Sequence, residues 1–237
     1  MTALMAAVSY GQIGATKFLL LRVSNIGYLN RDVRNALHLA VRHEHKHTEL
    51  VDLLIPHTSG VIQADRNGDT PLRTAALYRS PKIVAKLLDR LQDPSYQHCA
   101  FSNSRVQYDR HNRTQAEYAA ATTLQTAVQG GKLSTVKMLV QRPDVMKWGV
   151  ADVLLGHALP HHDEVLVELV NAGLDLTPPV QGMLTPLMIT AQTNCAKSVA
   201  AMLRQGADLH YECSRGGSAL SFAMTGNRPS AVQAGAD

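Results

Sequence analysis

Residues 65–88 read DRNGDTPLRTAALYRSPKIVAKLL, a stretch that holds a tight turn, a short helix, a loop and a second short helix. Asn67-Gly68 marks the turn, because glycine accepts a positive φ without steric cost and asparagine tolerates it. Thr70-Pro71 opens a helix: the threonine hydroxyl caps free backbone N–H groups, and proline fits the first helical position, where an N–H would have no partner. Ala75-Ala76 are small enough to let another helix come close. That second helix starts at Ser80-Pro81, and Ile83, Val84, Leu87 and Leu88 set an apolar stripe on one of its faces.

Two helices of this length cannot bury their stripes alone, so the unit requires neighbours of its own kind. With Thr70 as origin, the frame returns at Thr2, Asn35, Thr122, Asp152, Thr185 and Ser218, at spacings of 33, 35, 52, 30, 33 and 33 residues. The step of 35 reflects two extra residues in the loop from His43 to Glu49. The step of 52 places a long insertion at residues 91–121, which carries Tyr96, His98, Cys99, Phe101, Tyr108 and Tyr118. Inside it DRHNRT (Asp109 to Thr114) echoes DRNGDT (Asp65 to Thr70). A register that starts the helix at Thr114 therefore competes with the one at Thr122.

The recurring frame, with Gly206-Ala207-Asp208 and Gly173-Leu174-Asp175 at one offset behind Thr185 and Asp152, resembles the ankyrin-repeat family. The resemblance implies an all-α ankyrin-repeat solenoid of about seven stacked repeats, forming one array over residues 1–237, with the last repeat incomplete. It also implies a surface for other proteins, made of the turn tips and the exposed side of each first helix. Physically, the curvature of a solenoid opens a concave face whose side chains carry no packing duty. The pattern departs from the family at residues 91–121, in the weak first helix at Asp152 to Leu159, and after Ser218.

Terminal repeats of a solenoid need a polar outer face. In the first repeat Ala6, Ala7, Phe18 and Leu19 are expected to face outward instead, which points to residues upstream of this chain. After Met224 the paired leucines of a second helix are missing, so the last repeat reads as a short cap or as cut. Val136, Leu139, Val199 and Leu203 read as core. Trp148, the only tryptophan, stands at a turn and reads either as packing or as an exposed contact.

The composition, 45% hydrophobic but 5% aromatic, suits cores of Leu, Val, Ala and Ile. Cys99, Cys195 and Cys213 form no CxxC pair and read as reduced thiols of an intracellular protein, cytoplasmic with the nucleus left open. No apolar run approaches the roughly 18 residues of a membrane span, and MTALMAAVSYG lacks the basic start of a signal peptide. A Ser/His/Asp order, a phosphate-binding glycine loop and paired carboxylates are all missing, so no enzyme, cofactor or small-molecule substrate is expected. One string, His43-Glu44-His45-Lys46-His47, satisfies the zinc motif H-E-x-x-H. It falls in a loop between helices, where a spacing of four guarantees no shared face, so no metal is expected.

The leading reading is therefore a protein-interaction module, an adaptor or scaffold. The alternative is a regulatory or targeting segment of a larger enzyme whose catalytic domain lies elsewhere. A net charge of +4 without an RNA or DNA motif speaks against nucleic acid. The charge is uneven: residues 1–118 hold 15 Lys and Arg against 10 Asp and Glu, and residues 119–237 hold 8 against 9. Mapped onto the frame, the first three repeats put Tyr10, Arg31, Arg34, Arg42, His43, Arg66, Asp69 and Tyr78 at exposed turn and first-helix positions. The later ones put Gln129, Gln181, Gln192, Thr193 and Arg215 there. Arginine bonds carboxylates bidentately and, like tyrosine, is enriched at interface hot spots. These eight residues are the expected partner site, and an acidic segment of another protein is the expected occupant.

Overall fold

Thr2 starts the first helix by accepting a hydrogen bond from the Met5 N–H, and the device recurs along the chain. Asn35 Oδ1 takes the His38 N–H, Thr70 that of Arg73 and Thr185 that of Met188. Each such cap stabilises its helix by about 1 kcal/mol. The structure, a computed structural model, describes residues 1–22, 26–42, 47–58, 60–78, 81–93, 115–146, 162–173, 184–193, 195–214 and 216–225. The chain divides into two compact units, Met1–Thr126 and Ala127–Asp237.

Unit 1 holds three helix pairs. These are α1 (Ala3–Ser9) with α2 (Ile13–Leu20), α3 (Ala36–Arg42) with α4 (His47–Leu54), and α5 (Pro71–Leu77) with α6 (Pro81–Gln92). The inner row runs α1 on α3 on α5, and the outer row α2 on α4 on α6. Leu37, Ala40 and Val41 from the inner row, Leu50, Val51 and Leu54 from the outer, and the expected Ile83, Val84, Leu87 and Leu88 are all buried. Ala7, expected to face outward, is buried as well, because α1 is packed by both α2 and α3. Phe18 does face outward, and the Arg22 guanidinium covers its ring at 3.9 Å.

The next helix, α7 (Gln115–Gln129), adopts the register that starts near Thr114. Thr122 is not a cap: it sits mid-helix with its hydroxyl donating to the Ala119 carbonyl at 3.0 Å. The stretch QAEYAAATTLQTAVQ holds no glycine or proline and is rich in alanine, so nothing in it stops a helix. A mid-helix threonine can satisfy its hydroxyl on the preceding turn without leaving the helix. Residues 115–121, read from sequence as insertion, are thus helical. The division between the two units falls within α7.

Unit 2 holds α8 (Leu133–Val140), α9 (Pro143–Met146), α10 (Asp163–Asn171), α11 (Pro186–Gln192), α12 (Ala196–Arg204) and α13 (Ala219–Thr225). α8 packs on α10, α10 on α12, and α11 on both α12 and α13. Val136, Leu139 and Val199 are core, but Leu203 is only half-buried and Met202 takes the place assigned to it. Successive residues turn about 100° around a helix, and the buried arc of α12 is Ser198, Val199, Ala201 and Met202. Leu203 stands at its edge. Cys195 gives α12 no side-chain cap. Asp163, from α10, supplies one by accepting the N–H groups of Lys197 and Ser198 at 3.0 and 2.8 Å. Trp148, the Asp152 to Leu159 segment and everything after Thr225 lie outside the described residues.

Candidate partner-binding face

Two turn tips of unit 1 share one construction. Asn30 Oδ1 accepts the N–H groups of Asp32 and Arg34, both at 2.9 Å. Asp65 Oδ1 accepts those of Asn67 and Asp69 at 2.8 and 3.0 Å. Each tip closes through a left-handed residue, Gly68 at φ 79° in the second but Val33 at φ 62° in the first. A branched side chain is strained there. The Arg66 N–H donates to the Asp32 carbonyl at 3.1 Å, which sets the tips side by side.

Beneath the tips lies a polar network that ties the second helix pair to the third. Arg34 Nε donates to Asp65 Oδ2 at 2.8 Å, with the Asp65 side chain 3% exposed. Burial pushes the Asp65 carboxyl up, but the Arg34 bond, the two backbone N–H groups and the guanidinium charge outweigh it and hold the group below its usual range. His38 is buried. Its Nε2 lies 3.1 Å from the Asp69 carbonyl, and its Nδ1 lies 2.8 Å from Asn35 Oδ1 and 3.2 Å from the Asn35 nitrogen, so the tautomer decides which ring nitrogen donates. Burial lowers its pKa, and the Asp69 bond and the Asp65 charge offset only part of that. Asn35 Nδ2 also donates to the Gly60 carbonyl at 2.9 Å.

This network redistributes the residues expected from sequence. Arg34 is an internal partner of Asp65, not a free surface cation. Asp69 lies 3.7 Å from Arg73. His43 lies outside the described residues. Four of the seven described arginines of unit 1 have partners: Arg22 covers Phe18, and Arg34, Arg73 and Arg90 pair with Asp65, Asp69 and Asp93. Arg31, Arg42 and Arg66 are exposed and have no ion pair among the described residues. Tyr10 and Tyr78 are exposed C-cap residues of α1 and α5.

A cleft of about 130 Å³ joins part of this set. Its lining includes Arg34, His38, Arg42, Asp69, Thr74 and Tyr78. Tyr10, Arg31 and Arg66 do not line it. The outer helices contrast with this face, since most of their described lysines, Lys82 excepted, meet an acid on a neighbouring helix. Lys17 meets Glu49 at 3.5 Å and Lys86 meets Asp52, and within unit 2 Lys137 meets Glu168 at 3.7 Å and Lys197 meets Glu164 at 3.6 Å. Exposed pairs contribute about 0–1 kcal/mol each, so their main consequence is a neutral outer surface. Sequence reading missed both the Arg34–Asp65 pair and this cancellation, which join residues more than 30 positions apart. The four-residue spacing of His38 and Arg42 was the one local signal that they share an edge of α3.

Among the described residues no cluster of His, Cys, Asp and Glu could hold a metal ion, and the H-E-x-x-H string lies outside them except for the backbone of His47. Cys195 and Cys213 are buried free thiols, and burial pushes Cys195 above its ordinary 9.0, which makes it a poor nucleophile. Among the described residues no helix is long and apolar enough to cross a membrane.

Repeated helix pairs with capped starts and side-by-side tips define a helical-repeat protein. Residues 1–98 match the family model of ankyrin repeats, in three copies. Among solved structures, the ankyrin repeat domain of Bcl-3 is similar over 100% of this chain and 99% of its own, at 20% identity and a TM-score of 0.69. The ankyrin repeat domain of human ASB11 is similar over 99% of this chain and 96% of its own, at 20% identity and a TM-score of 0.62. No curated protein sequence matches. Residues 1–98 are ankyrin repeats, and the fold of the chain is the all-α ankyrin-repeat fold.

Proposed function

We propose that the chain is a protein-interaction module, an adaptor or scaffold inside the cell, that holds an acidic segment of a partner protein on the tips and inner helices of unit 1. Ankyrin repeats generally mediate protein–protein interaction, and the fold supports that reading. The observation that carries the acidic partner is the division of the arginines. Arg22, Arg34, Arg73 and Arg90 have partners, while Arg31, Arg42 and Arg66, at the tips and at the end of an inner helix, have no ion pair among the described residues. Unpaired guanidinium groups on neighbouring repeats match carboxylates in geometry as well as charge.

The test uses the full chain and a fluorescein-labelled glutamate-rich peptide, with the glutamine version of that peptide as control. The parent should bind the first and not the second. Binding should weaken as salt rises from about 0.05 M to about 0.5 M, where screening shortens to a few ångströms. Arg31→Glu, Arg42→Glu and Arg66→Glu together should abolish it with helical content unchanged. Arg34 is left in place because its loss strands a buried carboxylate. A triple variant that binds as well as the parent at low salt overturns the reading.

A further inference from the structure

The exposed ends of three consecutive inner helices form a row. Tyr10 and Tyr78 are the C-cap residues of α1 and α5, and Arg42 is the last residue of α3. α1 packs on α3 and α3 on α5, so the order across unit 1 is tyrosine, arginine, tyrosine. Tyr10 is 74% and Tyr78 50% exposed. Arg42 and Tyr78 also line one cleft. In that cleft Arg34 is neutralised by Asp65, and Asp69 faces Arg73, which leaves Arg42 as the cleft's charge without an ion pair among the described residues.

Packed helices stand about 8–10 Å apart, so the three helix ends follow one another at about that step, with Arg42 one frame position before the two tyrosines. A partner lying across it must repeat at the same interval. A β-strand brings same-face side chains about 7 Å apart and then about 13 Å, and an α-helix about 5.4 Å and then about 10.8 Å; neither spacing falls within the step. A polyproline II segment has three residues per turn and a rise of about 3.1 Å, so side chains three apart share an edge at about 9 Å. Such segments dock on exposed aromatic rings and arrive with little conformational entropy left to lose.

We infer, on the strength of the acidic-segment reading above, that this row receives a polyproline II segment of a partner protein. One carboxylate sits on Arg42, and an apolar residue, best a proline, sits three positions to either side on Tyr10 and Tyr78. The carboxylate supplies the charge that the cleft leaves open, and the two rings fix the register.

Two fluorescein-labelled peptides test this on the full chain by fluorescence anisotropy. One is Pro-Ala-Ala-Glu-Ala-Ala-Pro, and the other has the same composition with the glutamate moved one place, Pro-Ala-Glu-Ala-Ala-Ala-Pro. The first should bind at least about tenfold more tightly. Arg42→Gln should erase its advantage over the glutamine version of the same peptide. Tyr10→Ala and Tyr78→Ala should each weaken it about five- to tenfold, as hot-spot aromatics do. All three side chains are exposed, so circular dichroism of the variants should match the parent. Equal binding of both peptides, still dependent on Arg42, refutes the register and leaves the acidic-segment reading standing. Binding indifferent to Arg42→Gln refutes the docking on this row, and the triple variant then decides the acidic-segment reading by itself. A requirement for phosphoserine in place of glutamate, or displacement of the peptide by a second copy of this chain, also overturns the proposal.

Discussion

Replacing Val33 by asparagine should stabilise unit 1, and replacing Gly68 by valine should destabilise it, for one reason acting in opposite directions. The two residues close equivalent tips at φ 62° and 79°. In this region an L-residue costs about 1–2 kcal/mol relative to the right-handed conformation, with asparagine the usual exception. Val33→Asn removes that strain while keeping a side chain, so a gain near 1 kcal/mol is expected. Val33→Gly should gain less, because the freedom of glycine in the unfolded chain takes back about 0.5–1 kcal/mol. Val33→Ala keeps the strain and should change little. At Gly68 an added Cβ meets nothing within 4 Å, so Gly68→Val reports backbone strain without a clash and should lose about 1 kcal/mol or more. Urea titrations followed by far-UV circular dichroism measure each shift, provided the slope stays that of the parent. A neutral or destabilising Val33→Asn, together with a Gly68→Val indistinguishable from the parent, would refute the claim that these tips share a left-handed closure. Strain of this kind often accompanies binding sites, and Val33 stands between Asp32 and Arg34, two residues from Arg31.

Asp65→Ala should cost about 3–5 kcal/mol, the usual result of stranding one member of a buried pair, and Asp65→Asn less, because an amide oxygen can still accept the Asn67 and Asp69 N–H groups. The folded carboxyl is held below its ordinary 3.8, so its contribution is fully present above that value and is lost as pH falls from there through the depressed folded value. Denaturation midpoints of parent and Asp65→Asn taken from pH 7 to pH 2.5 should therefore converge on acidification, and a gap that widens would contradict the pairing. Leu87→Ala removes a side chain with no exposed surface and should cost about 2–5 kcal/mol. Hydrogen exchange should accelerate first in α5 and α6, which Leu87 helps hold together, and uniform acceleration along the chain would show that repeats do not lose structure one neighbour at a time.

The repeat frame was legible because its signals are local. A threonine three residues before the N–H it caps, proline at the next position and apolar residues on one helical face are properties of a dozen consecutive residues. The cap at Thr70, the start of α6 at Pro81 and the burial of Ile83 to Leu88 all follow from them. Thr122 was misread because a cap and a mid-helix threonine have the same local sequence. Only the alanine-rich run before it separated the two, and DRHNRT had already offered the other register. Leu203 failed for a related reason, since one residue of helical phase decides whether a side chain lies in the buried arc or at its edge.

The candidate site was legible as a set of residue types and illegible as a set of roles. Frame positions put Arg31, Arg34, Arg42 and Arg66 on the same kind of surface, and sequence alone ranks them equally. The amino-acid order determined the helix pairs, the tips and the inner and outer faces, because each depends on hydrogen bonds and periodicities spanning a few residues. Only the tertiary structure decided which of the described charges are paired within the fold. Arg34 is consumed by Asp65, 31 residues away, and Lys17, Lys86, Lys137 and Lys197 by acids on neighbouring helices, because Coulomb and hydrogen-bond partners are chosen by distance in space, which repeat stacking sets and chain order does not.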